Sequence, residues 1–151
     1  MTILIIMIKL LPLKNEHYRQ VKGIFAETFP MYTRKSIISA WRTRDYDHSI
    51  GIYDTNAKSI IGFALIHKTD HNSLFLSYFA IHKEKQNMGI GTIFMKYILS
   101  RLKKQRKSIN LVPLYDVACW YESLGFHKTG GKYLLQYHYY DTRSYGLRCN
   151  K

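Results

Sequence analysis

Residues 80–92 read AIHKEKQNMGIGT. An apolar strand ends at Ile81, and a polar loop, two glycines (Gly89 and Gly91) and the start of a helix follow it. Glycine lets the main chain come close to a ligand, and the first amides of a helix have no intrahelical acceptor. Together with the helix dipole, such amides form an anion site suited to phosphate. A tight turn between a strand and a helix is the alternative explanation for this segment alone.

Two familiar phosphate-binding motifs are absent from this part of the sequence. The dinucleotide fingerprint G-x-G-x-x-G needs a third glycine where Phe94 stands, and the P-loop needs Lys and then Ser or Thr after its glycine. The segment therefore predicts a phosphate-binding turn of a different kind.

Hydrophobic periodicity predicts a mixed α/β sheet domain around this turn, in the order β-α-α-β-β-β-α-β-α-β-β. The predicted strands are residues 3–10, 49–53, 60–67, 74–81, 108–112, 126–128 and 133–139, the last two joined through Gly130 and Gly131. The predicted helices are one capped by Asn15 and stopped by Pro30, residues 34–41, a helix from Gly89 to about Lys104, and one from Asp116 to Gly125. Short connections between the second, third and fourth strands favour an antiparallel meander. No linker or repeat divides the chain, so we expect one domain over residues 1–151.

Two motifs carry a family resemblance. Residues 86–91 read QNMGIG, which is Q-x-x-G-x-G, and residues 120–126 read WYESLGF. With the predicted element order, they resemble the GNAT superfamily of acyl-CoA-dependent N-acyltransferases over nearly the whole chain. The first motif is similar to the family's pyrophosphate loop, Arg/Gln-x-x-Gly-x-Gly/Ala. The second is similar to its Phe/Leu-Tyr-Glu-x-Leu-Gly-Phe helix end, and only the combination is specific.

The resemblance implies a GNAT fold: a mixed, mostly antiparallel sheet whose parallel fourth and fifth strands splay apart, flanked by about four helices. It implies acetyl-CoA as cosubstrate, with the pyrophosphate on the loop amides and the pantetheine arm along the end of the fourth strand. An amide on that strand would polarise the thioester carbonyl. The residues implied in cosubstrate binding are Phe79, Ala80, Ile81, Gln86, Asn87, Met88, Gly89, Ile90, Gly91 and Thr92.

Two positions depart from the family pattern. Asn87 stands where glycine is usual, which is tolerable because Asn accepts a positive φ. Leu114 stands where many members carry asparagine, so contacts to CoA at that point are in doubt.

The resemblance also implies catalytic roles. Tyr121 matches the tyrosine that in many members protonates the departing thiolate, although it also belongs to the apolar stripe of its own helix and could be a core residue. Members often place Glu or His on the fourth strand as a base, yet residues 74–81 contain neither. Ser77 is the candidate there, ordering a water that relays the proton; a base from residues 32–47, or bulk water, is the alternative.

The chain has 23 Lys and Arg against 10 Asp and Glu, a formal charge of +13 that favours anionic partners, including RNA. Residues 29–47, residues 70–72 and the tail from Tyr137 vary in the family and would contact the acceptor. They are rich in Tyr, Arg and His and poor in carboxylates. We therefore expect a primary amine that is neutral or anionic, such as an amino sugar phosphate, an amino acid or an aminoacyl group on RNA.

Two cysteines are too few for a disulfide framework, and no Cys/His cluster has zinc-ligand spacing, so we expect no metal and a cytoplasmic protein. The apolar residues 1–13 lack the features of a signal peptide and are too short for a membrane span. Dimers are frequent in the family, but no residue here specifies one.

Two non-enzymatic functions compete with this hypothesis. A nucleic-acid-binding module on the same fold would explain the charge and the 13 tyrosines, but it leaves the loop at residues 86–91 without a purpose. A protein that binds acyl-CoA as a sensor would explain why the fourth strand lacks a carboxylate.

Overall fold

A computed structural model of the chain describes residues 7–114, 117–129 and 134–139. Within these residues the chain forms four α-helices and seven β-strands in the predicted order. The helices are α1 (Tyr18–Thr28), α2 (Arg34–Arg42), α3 (Ile90–Gln105) and α4 (Ala118–Ser123). The strands are β1 (Ile8–Pro12), β2 (Ile50–Asp54), β3 (Ser59–Lys68), β4 (Ser73–Ile81), β5 (Ser108–Leu111), β6 (His127–Lys128) and β7 (Leu135–Tyr137).

All seven strands belong to one sheet, in the order β1-β2-β3-β4-β5-β7-β6. β4 and β5 are parallel, whereas the β1–β2, β2–β3, β5–β7 and β6–β7 pairs are antiparallel. The predicted fold class is therefore confirmed: the sheet is mixed and includes the parallel β4–β5 pair, and four α-helices accompany it in the described part of the chain.

Two predictions near the start of the chain need correction. β1 runs to Pro12 instead of ending at residue 10, and Met7 lies outside it. Proline is tolerated because β1 is an edge strand, where one side of the ladder needs no donor. Asn15 does not cap α1: it begins a 3-10 turn, Asn15–His17, in which the ring nitrogen Nδ1 of His17 accepts from the amide of Lys14 at 2.9 Å.

Other predictions concern residues that the structure leaves undescribed. They are the first part of the initial strand (residues 3–6), the cap Asp116, and the glycine turn at residues 130–131 with residues 132–133 after it. The described part of the fourth helix is followed by Gly125 at a φ of 108°, as the predicted glycine stop requires.

The packing of the main chain divides the protein into two compact units. The first contains the described residues up to His67 together with Tyr78–Thr92. Its core contains one face of each of α1 and α2 and the whole of β3 from residue 60 to 66, which is buried on both faces. Continuous burial is typical of a strand with neighbours on both sides and cover above and below.

The second unit contains Lys68–Ser77 and the described residues from Ile93 onward. Its core is apolar and comes from the start of β4, from α3 and β5, and from the segments around α4 and β7. The largest fully buried side chains are Leu74, Phe94, Met95, Leu102, Ile109 and Phe126.

The sequence predicts a stripe of Ile93, Phe94, Tyr97, Ile98 and Leu102 on α3, and three of these, Phe94, Ile98 and Leu102, are buried. The prediction is wrong for Ile93 and Tyr97, which are 58% and 41% exposed; Met95 and Leu99 are buried instead, so the apolar face is turned by about one residue.

Two kinds of feature are absent from the described residues. Among them, no helix is both long and apolar enough to cross a membrane. No group of three or more His, Cys, Asp or Glu side chains in that part of the chain is placed to hold a metal ion.

Candidate active site

The segment between β4 and α3 makes a compact connection. A short 3-10 turn, Lys83–Lys85, follows β4, and α3 begins at Ile90. Between them Asn87 has a φ of 64° and Gly89 a φ of 80°. A left-handed backbone conformation costs glycine little free energy, and asparagine adopts it more readily than most residues do. This explains why these two residue types stand at these positions.

Three contacts hold this connection in place within the first unit. The Gln86 amide nitrogen Nε2 donates to the carbonyl oxygen of Ile81 at 2.9 Å, which ties the loop back to the end of β4. Nζ of Lys85 lies 3.7 Å from Oδ2 of Asp54. Nε2 of His82 lies 3.7 Å from Oε2 of Glu27.

The loop leaves main-chain groups at the start of α3 open to a ligand. The first amides of α3 have no intrahelical acceptor, and the dipole of this 16-residue helix adds positive potential at its start. A Cβ atom built on Gly89 would meet no atom within 4 Å, so a ligand can approach the main chain there. Met88 beside it is 41% exposed.

The end of β4 carries the residues expected along the pantetheine arm. Ala80 and Ile81 are buried, and Phe79 is half-buried. In the described residues, the pairs between β4 and β5 run from Ser73 to Phe75 on β4, whereas β4 continues to Ile81. Because β5 ends at Leu111, the parallel pairing covers only the first part of β4.

Tyr78 lies on β4 in a cluster of aromatic rings. Its ring centroid is 4.9 Å from that of Phe25, 5.4 Å from that of Phe29 and 5.7 Å from that of Tyr32. Burial raises the pKa of Tyr78, the neighbouring Tyr32 adds to the rise, and a hydrogen bond with the Ser36 side chain opposes it. The hydroxyl therefore keeps its proton at neutral pH.

Tyr121, the candidate acid, is the buried residue of α4, with 7% of its surface exposed. Its ring packs edge-on against Trp120 (4.9 Å between centroids) and Phe126 (5.4 Å). Burial raises the pKa of Tyr121 well above the ordinary value. The ring therefore serves as core, as the alternative interpretation expects, while the hydroxyl keeps a proton that it could donate.

The candidate residues divide between the two units. Phe79, Ala80 and Ile81 belong to the first unit with the whole loop of residues 86–92, whereas Ser77 and Tyr121 belong to the second. Ser77 is half-buried.

Two acidic residues near the loop were not found from the sequence. Asp54, the last residue of β2, faces the ammonium of Lys85, and Glu27 on α1 faces the ring of His82. Nothing in the sequence pattern identifies such pairs, because their members are far apart along the chain.

Part of the sequence matches the model of a known protein family. The model of the acetyltransferase (GNAT) domain matches residues 46–128, more than half of the chain. The chain belongs to the GNAT acetyltransferase family. The family resemblance is thereby confirmed, and this GNAT protein carries an acetyltransferase domain.

Solved structures share the GNAT fold with it. Ard1 from Thermoplasma volcanium superimposes with a TM-score of 0.73 at 18% identity, over 87% of this chain and 97% of that one. The ribosomal-protein-S18-alanine N-acetyltransferase from Escherichia coli gives 0.72 at 15% identity, over 95% and 100%. A GNAT family acetyltransferase from Brucella melitensis, in complex with acetyl-CoA, gives 0.68 at 12% identity, over 87% and 88%. A sequence comparison with curated proteins found no match.

Proposed function

We propose that the loop of residues 86–92 binds the pyrophosphate of acetyl-CoA through main-chain amides. The observation that carries this proposal is the open space over Gly89, whose φ of 80° turns the chain at the start of α3. Gln86 holds the turn through its bond to Ile81, and Asn87 supplies the second left-handed residue. The amides concerned are those of Met88, Gly89, Ile90, Gly91 and Thr92.

The main chain of Phe79, Ala80 and Ile81 would bind the pantetheine arm as an added strand would. Its support is the early end of the pairing between β4 and β5. A β4 amide would donate to the thioester oxygen, where negative charge develops during transfer.

The reaction we propose is a direct transfer to a primary amine. The neutral amine nitrogen forms a bond to the acetyl carbon while the carbon–sulfur bond breaks. The amine gives up a proton to a base, and the leaving sulfur takes one from an acid.

Tyr121 is the proposed acid. Burial keeps the phenol of Tyr121 protonated at neutral pH, so it has a proton to give to the departing sulfur, although a thiolate is a weaker base than the anion of this phenol. Ser77 is the proposed ordering group for a water that carries the amine proton away, because β4 has no Glu or His among its residues.

The first experiment is isothermal titration of acetyl-CoA, with desulfo-CoA beside it, followed by thiol-release assays over a panel of amines. We expect micromolar binding of both ligands and thiol release with at least one amine. The Tyr121→Phe variant should lose turnover while keeping its Kd for acetyl-CoA. Binding with no thiol release from any amine would favour an acyl-CoA sensor. No binding, in folded protein freed of carried-over CoA, would contradict the proposal and favour a nucleic-acid module.

Three further proposals concern the cellular location, the RNA contact and the oligomeric state of the enzyme. We propose a cytoplasmic location, supported by the low cysteine content. Contact with RNA is supported by the charge of +13 and predicts binding that weakens steeply with salt. We also propose a homodimer, and the molecular mass from analytical ultracentrifugation tests it.

A further inference from the structure

The outward side of α3, in the second unit, is basic. The sequence contains no Asp or Glu between Glu84 and Asp116. The exposed and half-buried cations on α3 and directly after it form what we call the basic face: Lys96, Arg101, Lys103, Lys104, Arg106 and Lys107. Leaving Arg101 aside, none of them forms an ion pair in the part of the chain that the structure describes. Water or an external anion must therefore balance most of this charge.

The helix dipole explains only part of the basic face. Lys103 and Lys104 lie in the last turn of α3, where a cation is favourable because that end of the dipole is negative. Lys96 lies more than two turns before the end of the helix, where this effect has fallen off. It is on the same side of α3 as Lys103, which lies two turns later and about 10 Å away along the axis. The cations therefore form a stripe along the helix.

Arg106 adds a cation to this stripe at a conformational cost. It directly follows α3 with a φ of 55°, in the left-handed region that favours glycine or asparagine after a helix. The amide of Lys107 then donates to the carbonyl oxygen of Leu102 at 2.9 Å. Glycine would allow the same turn with less strain, so the backbone conformation does not explain why an arginine stands here.

An aromatic ring lies within the basic face. Tyr97 is 41% exposed, and Cζ of Arg101 lies 5.9 Å from the centroid of its ring. Proteins that bind single-stranded nucleic acids stack bases on such exposed rings and hold the phosphates with neighbouring cations. Tyr97 and the cations around it therefore supply both kinds of contact.

A membrane and an acidic protein match this surface less well than RNA does. A helix that lies on a membrane inserts its apolar face, but the apolar residues Phe94, Met95 and Leu102 of α3 are buried in the core of the second unit. Lysine is depleted in interfaces between proteins, whereas contacts to phosphates use Lys and Arg. The composition of the basic face therefore favours a nucleic acid.

We propose that the basic face of α3 binds a single-stranded segment of RNA, with the cations on the phosphates and the ring of Tyr97 against a base. This inference rests on the RNA contact of the proposed function, because it names the surface that makes that contact.

The basic face should also cost the folded protein some stability. Its segment contains no carboxylate, so neighbouring cations repel one another. Neutralising several of them should leave the melting temperature unchanged or raise it. Cations that served mainly to complement the helix dipole would give the opposite result, because the melting temperature would fall when they are removed.

The test measures binding of a fluorescein-labelled, single-stranded RNA of mixed sequence, about 12 nucleotides long, which is within the usual range of site sizes. Fluorescence anisotropy at several salt concentrations gives the Kd and its dependence on salt. The main variant carries Lys96→Gln, Lys103→Gln and Lys104→Gln together. The melting temperature and the Kd of acetyl-CoA are measured for every protein.

The matched control removes three exposed lysines of the first unit: Lys9→Gln, Lys35→Gln and Lys58→Gln. Both triple variants lose the same charge, so a difference between them reports the position of the cations and not the net charge. A separate variant, Tyr97→Ala, tests the stacked ring.

We expect the main variant to bind RNA at least about tenfold more weakly, and the slope of log Kd against log salt to decrease by about 2, since each phosphate contact on a single strand contributes about 0.7. The control variant should change the Kd by less than about threefold. Tyr97→Ala should weaken binding by about fivefold or more. The Kd of acetyl-CoA should stay the same in all of them.

Several outcomes would overturn the inference. They are absence of RNA binding by the wild type, equal losses in the two triple variants, an unchanged Kd in Tyr97→Ala, and a lower melting temperature of the main variant with unchanged RNA binding. Tighter binding to anionic lipid vesicles than to RNA would assign the surface to a membrane instead. None of these results changes the case for the acetyl-CoA site, whereas failure of acetyl-CoA to bind would overturn that site and leave the RNA result intact.

Discussion

Nζ of Lys85 lies 3.7 Å from Oδ2 of Asp54, the last residue of β2. The other oxygen of this carboxylate, Oδ1, accepts from the amides of Asn56 (2.9 Å) and Ala57 (3.2 Å). One buried carboxylate therefore closes the turn between β2 and β3 and also holds the loop that follows β4.

Replacing Asp54 should cost much more stability than replacing Lys85. Asp54→Ala leaves two turn amides without their acceptor, and we expect a loss of about 2–4 kcal/mol. Lys85→Ala removes a partly exposed ammonium that can otherwise reach water, so we expect a loss of about 1 kcal/mol or less. Urea unfolding of the three proteins measures both values. Equal losses would show that the ion pair, and not the turn, carries the effect.

Gly89→Ala should weaken acetyl-CoA binding by about tenfold or more. The φ of 80° puts an alanine there under a strain of about 1–2 kcal/mol, and its Cβ fills the space through which the phosphates approach. Gly89→Val should abolish binding.

Gly23→Ala is the matched control, because a Cβ there also meets no atom within 4 Å. Gly23 is exposed inside α1, so alanine should raise the free energy of unfolding by about 0.5–1 kcal/mol and leave the Kd unchanged. Titration and thermal unfolding separate the two effects. An unchanged Kd in both variants would exclude the loop as the phosphate site.

The alkaline side of the pH–rate profile tests Tyr121 as the acid. An acid loses activity as the pH rises through its pKa, and burial raises the pKa of Tyr121 above the ordinary value of about 10. We therefore expect no fall in kcat caused by this group up to about pH 10. Turnover should be low at every pH in Tyr121→Phe. A fall near pH 8 that disappears in Tyr121→Phe would contradict the assignment.

The same group links stability to alkaline pH. The unfolded tyrosine loses its proton near pH 10, whereas the folded one keeps it, so the free energy of unfolding should decrease as the pH rises above about 10. Burial also raises the pKa of Tyr137, so each of Tyr121→Phe and Tyr137→Phe should reduce the decrease only in part. Melting temperatures above about pH 9 measure the effect.

His67 makes stability depend on pH in the opposite direction, in the acidic range. Its Nε2 lies 2.8 Å from Oγ1 of Thr43, and burial lowers its pKa, against a hydrogen bond with Ala40 and the charge of Asp45. The unfolded chain then binds a proton that the folded chain resists, so stability should fall as the pH drops below about 6.5.

We expect His67→Gln to flatten the fall in melting temperature between about pH 7 and pH 5. His71 lies exposed in the turn between β3 and β4, and His71→Gln is the control that should leave the slope unchanged. Equal slopes in the wild type and His67→Gln would assign the pH dependence to another group.

Local patterns predicted most elements because their causes are local. Ile37 and Trp41 are buried on α2 at the spacing that the sequence shows, and Gly125 follows α4 with a positive φ. Pro12 could not be placed in a strand without knowing that β1 is an edge, which is a property of the whole sheet. The contact between Lys85 and Asp54 could likewise not be predicted, because residues distant in sequence meet only after the chain has folded.

The position of α1 and α2 has a consequence for how such proteins diverge. Both helices end before residue 46, where the match to the family model begins. Substitutions in them can therefore accumulate without altering any residue by which the family is recognised. Two proteins can thus differ throughout this pair of helices and still be assigned to the same family.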